Sequence, residues 1–184
     1  MSNPISLVHA LKLFVEGMLG GMHTCIPAQV QSYNPTKSTV DAQPVVTYKR
    51  KDGTIVPYPL LTSVPVIFPR TRRGSFTIPL ESGDYVLLIF SERSLDTWLN
   101  NGNTVETESP SRFDLTDAMA IAGIFPLNET NSAASDTDAV LHYDKCKIIL
   151  GRNDTITISA KNVNINLSAD GRLNVAGGNL TVDA

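Results

Sequence analysis

The chain has 184 residues, 42% of them apolar and 18% charged, with a formal net charge of −3. That length supports one or two domains with cores of their own, and the charge excludes a chain built as a whole to bind polyanions. Two cysteines, Cys25 and Cys146, stand too far apart in sequence and are too few to make a disulfide scaffold.

Residues 1–22 read as one amphipathic helix. Val8, Leu11, Val15, Met18 and Met22 recur at helical spacing, while His9, Lys12 and Glu16 fall elsewhere on the wheel. Gly17 weakens the second half, and Gly20-Gly21 is the expected stop. The charged residues break residues 5–22 as a membrane span, and no basic leader precedes them. A chain made in the cytoplasm and left unprocessed is the expectation. The apolar stripe packs on its own domain or docks a partner; Leu11, Val15 and Met18 are the candidate docking residues.

Residues 25–48 read as a hairpin. Residues 28–33 alternate, Asn34-Pro35-Thr36-Lys37 is the turn, and 39–48 return. Lys51-Asp52-Gly53-Thr54 is a second turn, with Asp-Gly at its centre. Val64, Val66 and Phe68 then alternate with Pro65, Ile67 and Pro69, and the prolines, lacking an N–H, place that strand at an edge or bulge. Arg70, Arg72, Arg73 and Gly74 form a basic loop, and Lys49-Arg50-Lys51 another; charge runs of this kind read as solvated tips. Phe76, Ile78 and Leu80 suggest a half-buried strand. Glu81-Ser82-Gly83-Asp84 is turn chemistry, and the apolar run YVLLIF (85–90) is the expected central strand of a small barrel. Ser91 opens a helical turn with Leu95, Trp98 and Leu99 on one face.

The polar stretch NNGNTVETESPSR (100–112) reads as an exposed loop, and AMAIAGIF (118–125) as a return to the barrel. Five or six short strands within about 65 residues fit a small barrel, for which the OB-fold is the common solution. The expected division is a helical segment at 1–24, the barrel at 25–127, a linker at 128–138 (NETNSAASDTD) and a tail at 139–184.

The tail has another texture. Apolar pairs recur as Ile148/Leu150, Ile156/Ile158, Val163/Ile165, Leu173/Val175 and Leu180/Val182, with their starts 8, 7, 10 and 7 residues apart. Short turns rich in Gly, Asn and Asp separate them. This is a strand-and-turn repeat, the mark of a β-solenoid or an intertwined β-helix, with a flat antiparallel meander packed on the barrel as the alternative; the intertwined β-helix is the reading taken here. One copy offers only a narrow stripe per strand, too little to fold alone, so three copies around one axis are expected to share Ile148, Leu150, Ile156, Ile158, Val163, Ile165, Leu173 and Val175 as a core. Asn162, Asn164 and Asn166 alternate with this set and should face outward.

No nucleophile elbow, zinc-protease helix or phosphate-binding loop occurs. The carboxylate pairs Glu81/Asp84 and Asp114/Asp117 sit by turns, and nothing in sequence marks a cleft around either. His23 with Cys25, and His142 with Cys146, are spaced too loosely to read as zinc ligands. No cofactor or metal is expected, and the chain is read as no enzyme. An OB-fold also raises single-stranded nucleic-acid binding, but Phe68, Phe76, Tyr85 and Phe90 lie in apolar stretches that suit core packing better than stacking.

Four segments together carry a resemblance: PAQVQSYNPTKSTVDAQPVV (27–46), VPVIFPR (64–70), FTIPLESGDYVLLIFSERSLDTWL (76–99) and SRFDLTDAMAIAGIFPL (111–127). Across roughly residues 20–127 the chain resembles the N-terminal domain of the spike proteins of contractile-tail phage baseplates. The resemblance implies an OB-fold collar, a homotrimer, attachment to a baseplate hub protein (here through Leu11, Val15 and Met18) and a β-helical needle that pierces the host outer membrane. It implies a place in the virion, at the tail baseplate. The alternatives are a cell-wall hydrolase subunit of the tail and an OB-fold nucleic-acid binder. Some such spikes end in an iron site built from His-x-His repeats. This chain carries His9, His23 and His142 and none beyond, so that site does not carry over. A separate tip protein is expected at Leu180 and Val182 instead.

Overall fold

A computed structural model describes residues 6–50, 52–104, 106, 109–131 and 133–177. It has two units, Met1–Pro126 and Leu127–Ala184, each built on a five-stranded antiparallel sheet.

In the first unit, helix α1 spans Leu7–Gly20, shorter than the 1–22 read from the sequence, and residues 1–5 lie outside the described set. The Ser6 hydroxyl accepts the His9 N–H at 3.3 Å, and past the last turn Gly21 N–H donates to the Met18 carbonyl at 3.2 Å. Strands β1 (Cys25–Asn34) and β2 (Thr39–Pro44) form the expected hairpin, whose turn is held by Asn34 Oδ1 accepting from Lys37 N–H at 3.1 Å. Strands β3 (Thr47–Lys49) and β4 (Ile55–Pro57) make a separate ribbon around Asp52-Gly53, where Gly53 takes φ 89°. Strands β5 (Leu61–Pro65), β6 (Tyr85–Phe90) and β7 (Ala118–Ala122) complete the main sheet, in the order β5-β2-β1-β6-β7. Helix α2 (Asp96–Asn101) and a 3-10 turn (Leu115–Asp117) lie between β6 and β7.

Alternation sends Ile26, Ala28, Val30, Val40, Ala42, Val64, Val86, Leu88, Phe90, Ala118 and Ala120 to one buried face. The sheet curls until its edges meet: Val66, just past β5, bridges Ala120 of β7 in parallel, and Ile67 N–H donates to the Ala120 carbonyl at 2.8 Å. The result is a half-barrel. Two bulges face each other across Asp41 of β2. Register shifts between Val30 and Ser32 on β1, and opposite Val40 and Ala42 on β5, leave Asp41 between them. Its Oδ2 accepts from the Ser32 hydroxyl at 2.7 Å and its Oδ1 from Ser63 N–H at 2.8 Å, with Ser63 in the left-handed region at φ 57°. One carboxylate thus fills both irregularities that bend the sheet.

Two readings of this unit need correction. Residues 76–80 form no strand. Phe76 N–H still bonds to the Pro69 carbonyl at 2.9 Å, but beyond it Pro79 lacks a donor and no described ladder forms; Phe76 and Ile78 stay exposed. The apolar run 85–90 is an interior strand but not the central one, and only Val86, Leu88 and Phe90 are buried. Tyr85, Leu87 and Ile89 point to the other face and are half-buried.

The second unit holds β8 (Ala139–Tyr143), β9 (Cys146–Gly151), β10 (Thr155–Ala160), β11 (Val163–Leu167) and β12 (Leu173–Ala176), in the order β12-β11-β10-β9-β8. Every strand pairs with its neighbour in sequence. Within one chain this is a meander, not the β-helix expected. The reason lies in the connections. Two to five residues join successive strands, which is hairpin length; winding onward around an axis in parallel needs a longer crossover. Asp144 (φ 49°), Asp154 (φ 60°) and Gly171 (φ 82°) supply the left-handed turn positions.

The Ser63 N–H, and after it the Ser32 hydroxyl, hold the Asp41 carboxyl below its ordinary range. A carboxyl with a lowered folded-state pKa adds stability above the unfolded pKa, and that stability is lost as pH falls through the folded value. Asp41→Asn should therefore cost about 1 kcal/mol at pH 7, an exposed-site value for hydrogen bonds to a charged group. The difference from the parent should close on acidification below the ordinary carboxylate range. Denaturant melts followed by the single tryptophan, Trp98, at pH 7 and pH 3 check both statements.

Candidate functional site

The strand registers of the second unit align its side chains into two rows. Leu141, Ile148, Ile158, Ile165 and Val175 stand directly opposite one another from β8 to β12. Ala139, Leu150, Ile156, Leu167 and Leu173 form a second row beside them. Residues opposed across an antiparallel ladder share a face, so the sheet carries a continuous apolar face. Val163, paired with Ala160, belongs to it as well. The opposite face is mostly polar: Thr155, Thr157, Ser159, Asn164, Asn166 and Asn174, with the Asn166 amide donating to the Thr157 hydroxyl at 3.0 Å.

Among the described residues of this unit, no second layer covers the apolar face. No described residue of this unit is buried, and the large apolar side chains of the two rows and Val163 are up to 57% exposed. A contiguous apolar patch of this kind marks an interaction surface. All eight residues read from the sequence as a shared core (Ile148, Leu150, Ile156, Ile158, Val163, Ile165, Leu173 and Val175) lie on this one face. Leu141 was missed, because Val140 beside it hides the alternation of β8. Leu167 was readable from its spacing to Ile165. Leu180 and Val182, read as contacts for a tip protein, lie outside the described residues.

Helix α1 is the second such surface. Leu11, Val15 and Met18 follow i, i+4, i+7 spacing and are 62%, 46% and 57% exposed. Leu7, Val8, Phe14 and Leu19 flank them, widening the apolar side to about half the circumference. The helix buries none of its residues. Its polar side carries the Lys12–Glu16 ion pair at 3.9 Å.

The polar candidates are dispersed or occupied. Asp84 Oδ2 accepts from Glu81 N–H at 2.7 Å and serves the turn. Asp114 and Asp117, by contrast, do border a cavity of about 520 Å³ together with Asp96, which corrects the expectation that no cleft gathers them. Asp114 Oδ1 accepts from both the N–H and the hydroxyl of Thr116, at 2.9 and 2.8 Å. Those bonds, with the charge of His23 behind them, hold its carboxyl below the usual range. Asp117 Oδ1 accepts the Leu95 N–H at 2.9 Å. His23 packs edge-on against Tyr58 and tilted against Phe90, with centroids 5.7 and 5.6 Å away. His142 Nε2 contacts the Asp144 carbonyl at 2.6 Å. Among the described residues no group of three or more His, Cys, Asp or Glu side chains is arranged to hold a metal. Phe90 is buried and Phe68 packs on the core, but Phe76 is exposed, against its expected core position.

The half-barrel with its flanking turn and helix coincides with a known family. The family model described as phage protein Gp138 N-terminal domain matches residues 26–123, more than half of the chain. The chain belongs to this family. The resemblance to the baseplate spike domain is thereby borne out over those residues, and the match points to a phage structural protein, a component of the virion. No curated protein matches the chain.

Because α1 buries nothing, a Leu11→Ser/Val15→Ser/Met18→Ser variant should change the unfolding free energy of the first unit by less than about 1 kcal/mol. Trp98 fluorescence in a urea titration measures it. A loss well beyond that would place the stripe against the half-barrel.

Proposed function

We propose that this protein is the central spike of a contractile-tail baseplate. Three copies assemble on one axis. The first unit, an OB-fold collar closed at the Val66–Ala120 bridge, sits on the hub, and the tails form a needle that sheath contraction drives through the host outer membrane. The observation that carries this reading is the uncovered apolar face: two rows of five side chains on a sheet with no second layer, in a chain of a phage family.

The meander alters the expected needle. Each chain supplies a whole sheet, so three chains place their apolar faces inward as the sides of a prism, with the Thr, Ser and Asn faces outward. Ladder hydrogen bonds within each side and one shared core between them give stiffness without any catalytic step. Helix α1, apolar over half its surface, is the attachment to the hub.

Light scattering on the full chain at micromolar concentration should give three times the chain mass. A monomer would remove the needle, and a dimer would indicate two sheets packed face to face. Ile165→Asp buries three carboxylates in one core, at a cost of about 3 kcal/mol or more, and should weaken the trimer at least about 100-fold. Asn164→Asp, on the outer face, should be nearly silent; equal effects would mean that the outer face is the buried one. Removing residues 1–22 should leave a trimer that no longer joins the baseplate. Clearing of a peptidoglycan suspension by the purified chain would favour the hydrolase reading instead.

A further inference from the structure

Helix α1 carries a pattern finer than its apolar stripe. Leu7, Leu11, Phe14 and Met18 are spaced 4, 3 and 4 residues apart, the alternation that keeps one seam of a helix turned to a partner helix. All four are between 57% and 82% exposed, and no residue of the helix is buried. Val8 and Val15 flank the seam on one side, Ala10 and Gly17 on the other. None of these is charged, so copies of the helix set seam to seam bring no like charges together, and the small pair lets backbones approach. His9, Lys12 and Glu16 stand outside the seam, with Lys12 and Glu16 paired to each other.

The joint below the helix holds it where its own half-barrel leaves this seam uncovered. Gly21 N–H donates to the Met18 carbonyl and Met22 N–H to the Leu19 carbonyl, both at 3.2 Å; His23 N–H donates to the Phe113 carbonyl at 3.1 Å, and the Thr24 carbonyl accepts the Phe90 N–H at 3.1 Å. The His23 ring also rests against Tyr58 and Phe90. A membrane surface is a poor match, because it selects helices with several cations on the polar face, and Lys12 is the one Lys or Arg from Leu7 to Gly20. We propose that three copies of α1 pack in parallel around one axis as a short three-helix bundle, with Leu7, Leu11, Phe14 and Met18 inside. A seam widened by Val8 and Val15 suits a bundle better than a two-stranded coil. Four side chains on the order of 100 Å² each supply about half of the ~800 Å² per partner that a stable interface uses. The helices therefore associate because the tails hold them at high effective concentration. The proposal rests on the trimeric reading and deepens it: the hub meets a three-helix peg rather than three separate helices.

Cross-linking of the full chain tests it. In a Cys25→Ala/Cys146→Ala background, Leu11→Cys on the seam, treated with a short bis-maleimide, should give covalent dimer on a denaturing gel, since one cysteine per chain joins two of the three copies. Glu16→Cys, on the far side of the helix, should give several-fold less. Phe14→Asp added to Leu11→Cys should cut the dimer to the Glu16→Cys level, while light scattering still reads three chain masses because the tail holds the trimer. A trimer in which Leu11→Cys and Glu16→Cys link equally, or in which neither links, overturns the bundle and leaves the trimer standing. A seam preference that Phe14→Asp does not reduce overturns the packing assigned to the seam. A monomer or a dimer by light scattering overturns the trimer and the bundle together.

Discussion

An antiparallel sheet with one apolar face must cover that face, and this requirement governs both halves of the chain. The two units meet it differently, for reasons visible in their residues. The first curls onto itself. Its inner face includes Ala28, Ala42, Ala118 and Ala120, small enough to let the strands bend inward, and the paired bulges at Asp41 supply the bend. The second carries Ile and Leu along its rows and keeps an unbroken register. Nothing in it provides a place to fold over. Among the described residues of the unit its apolar face stays open.

Asp41 shows how a surface carboxylate can shape a core. Among the described residues it makes no salt bridge. It gives two irregular strands a common acceptor, so the half-barrel reaches Val66–Ala120 closure with its backbone donors engaged. Asp117 stands in a similar place between Leu95 and the start of β7, but with half of its capacity unused. The first carboxylate is satisfied at both oxygens; the second keeps one oxygen buried without a partner among the described residues.

Much of this was legible in the sequence, and the misses share a cause. Alternation in 148–175 identified residues that share one face, because period 2 is indifferent to what lies across the ladder. It could not say how the strands connect: within one chain, turns of hairpin length join neighbours into a meander, where a β-helix was expected. In 76–80 the alternation of Phe76, Ile78 and Leu80 read as a strand, yet a strand also needs backbone donors, and Pro79 removes one beside an already short turn. Asp114 and Asp117 read as turn residues. They are that, but α2 and β5 bring apolar walls around them from 15 to 56 residues away in sequence, a proximity no local pattern encodes.

The short connections of the tail also bear on the order of events during synthesis. Nearly all contacts within the second unit join residues close in sequence, the low contact order associated with fast folding. Each hairpin can zip onto the last as the chain emerges, with no distant segment to wait for. On the proposed trimeric reading, the sheet forms within each chain first, and joining is a separate, concentration-dependent step between preformed surfaces. Among the described residues β8 and β12 are the edges of this sheet, and in the interval before that joining an open apolar sheet with unpaired edges is the kind of species most exposed to off-pathway pairing. Nascent chains held near one another, as on a single message, would shorten that interval.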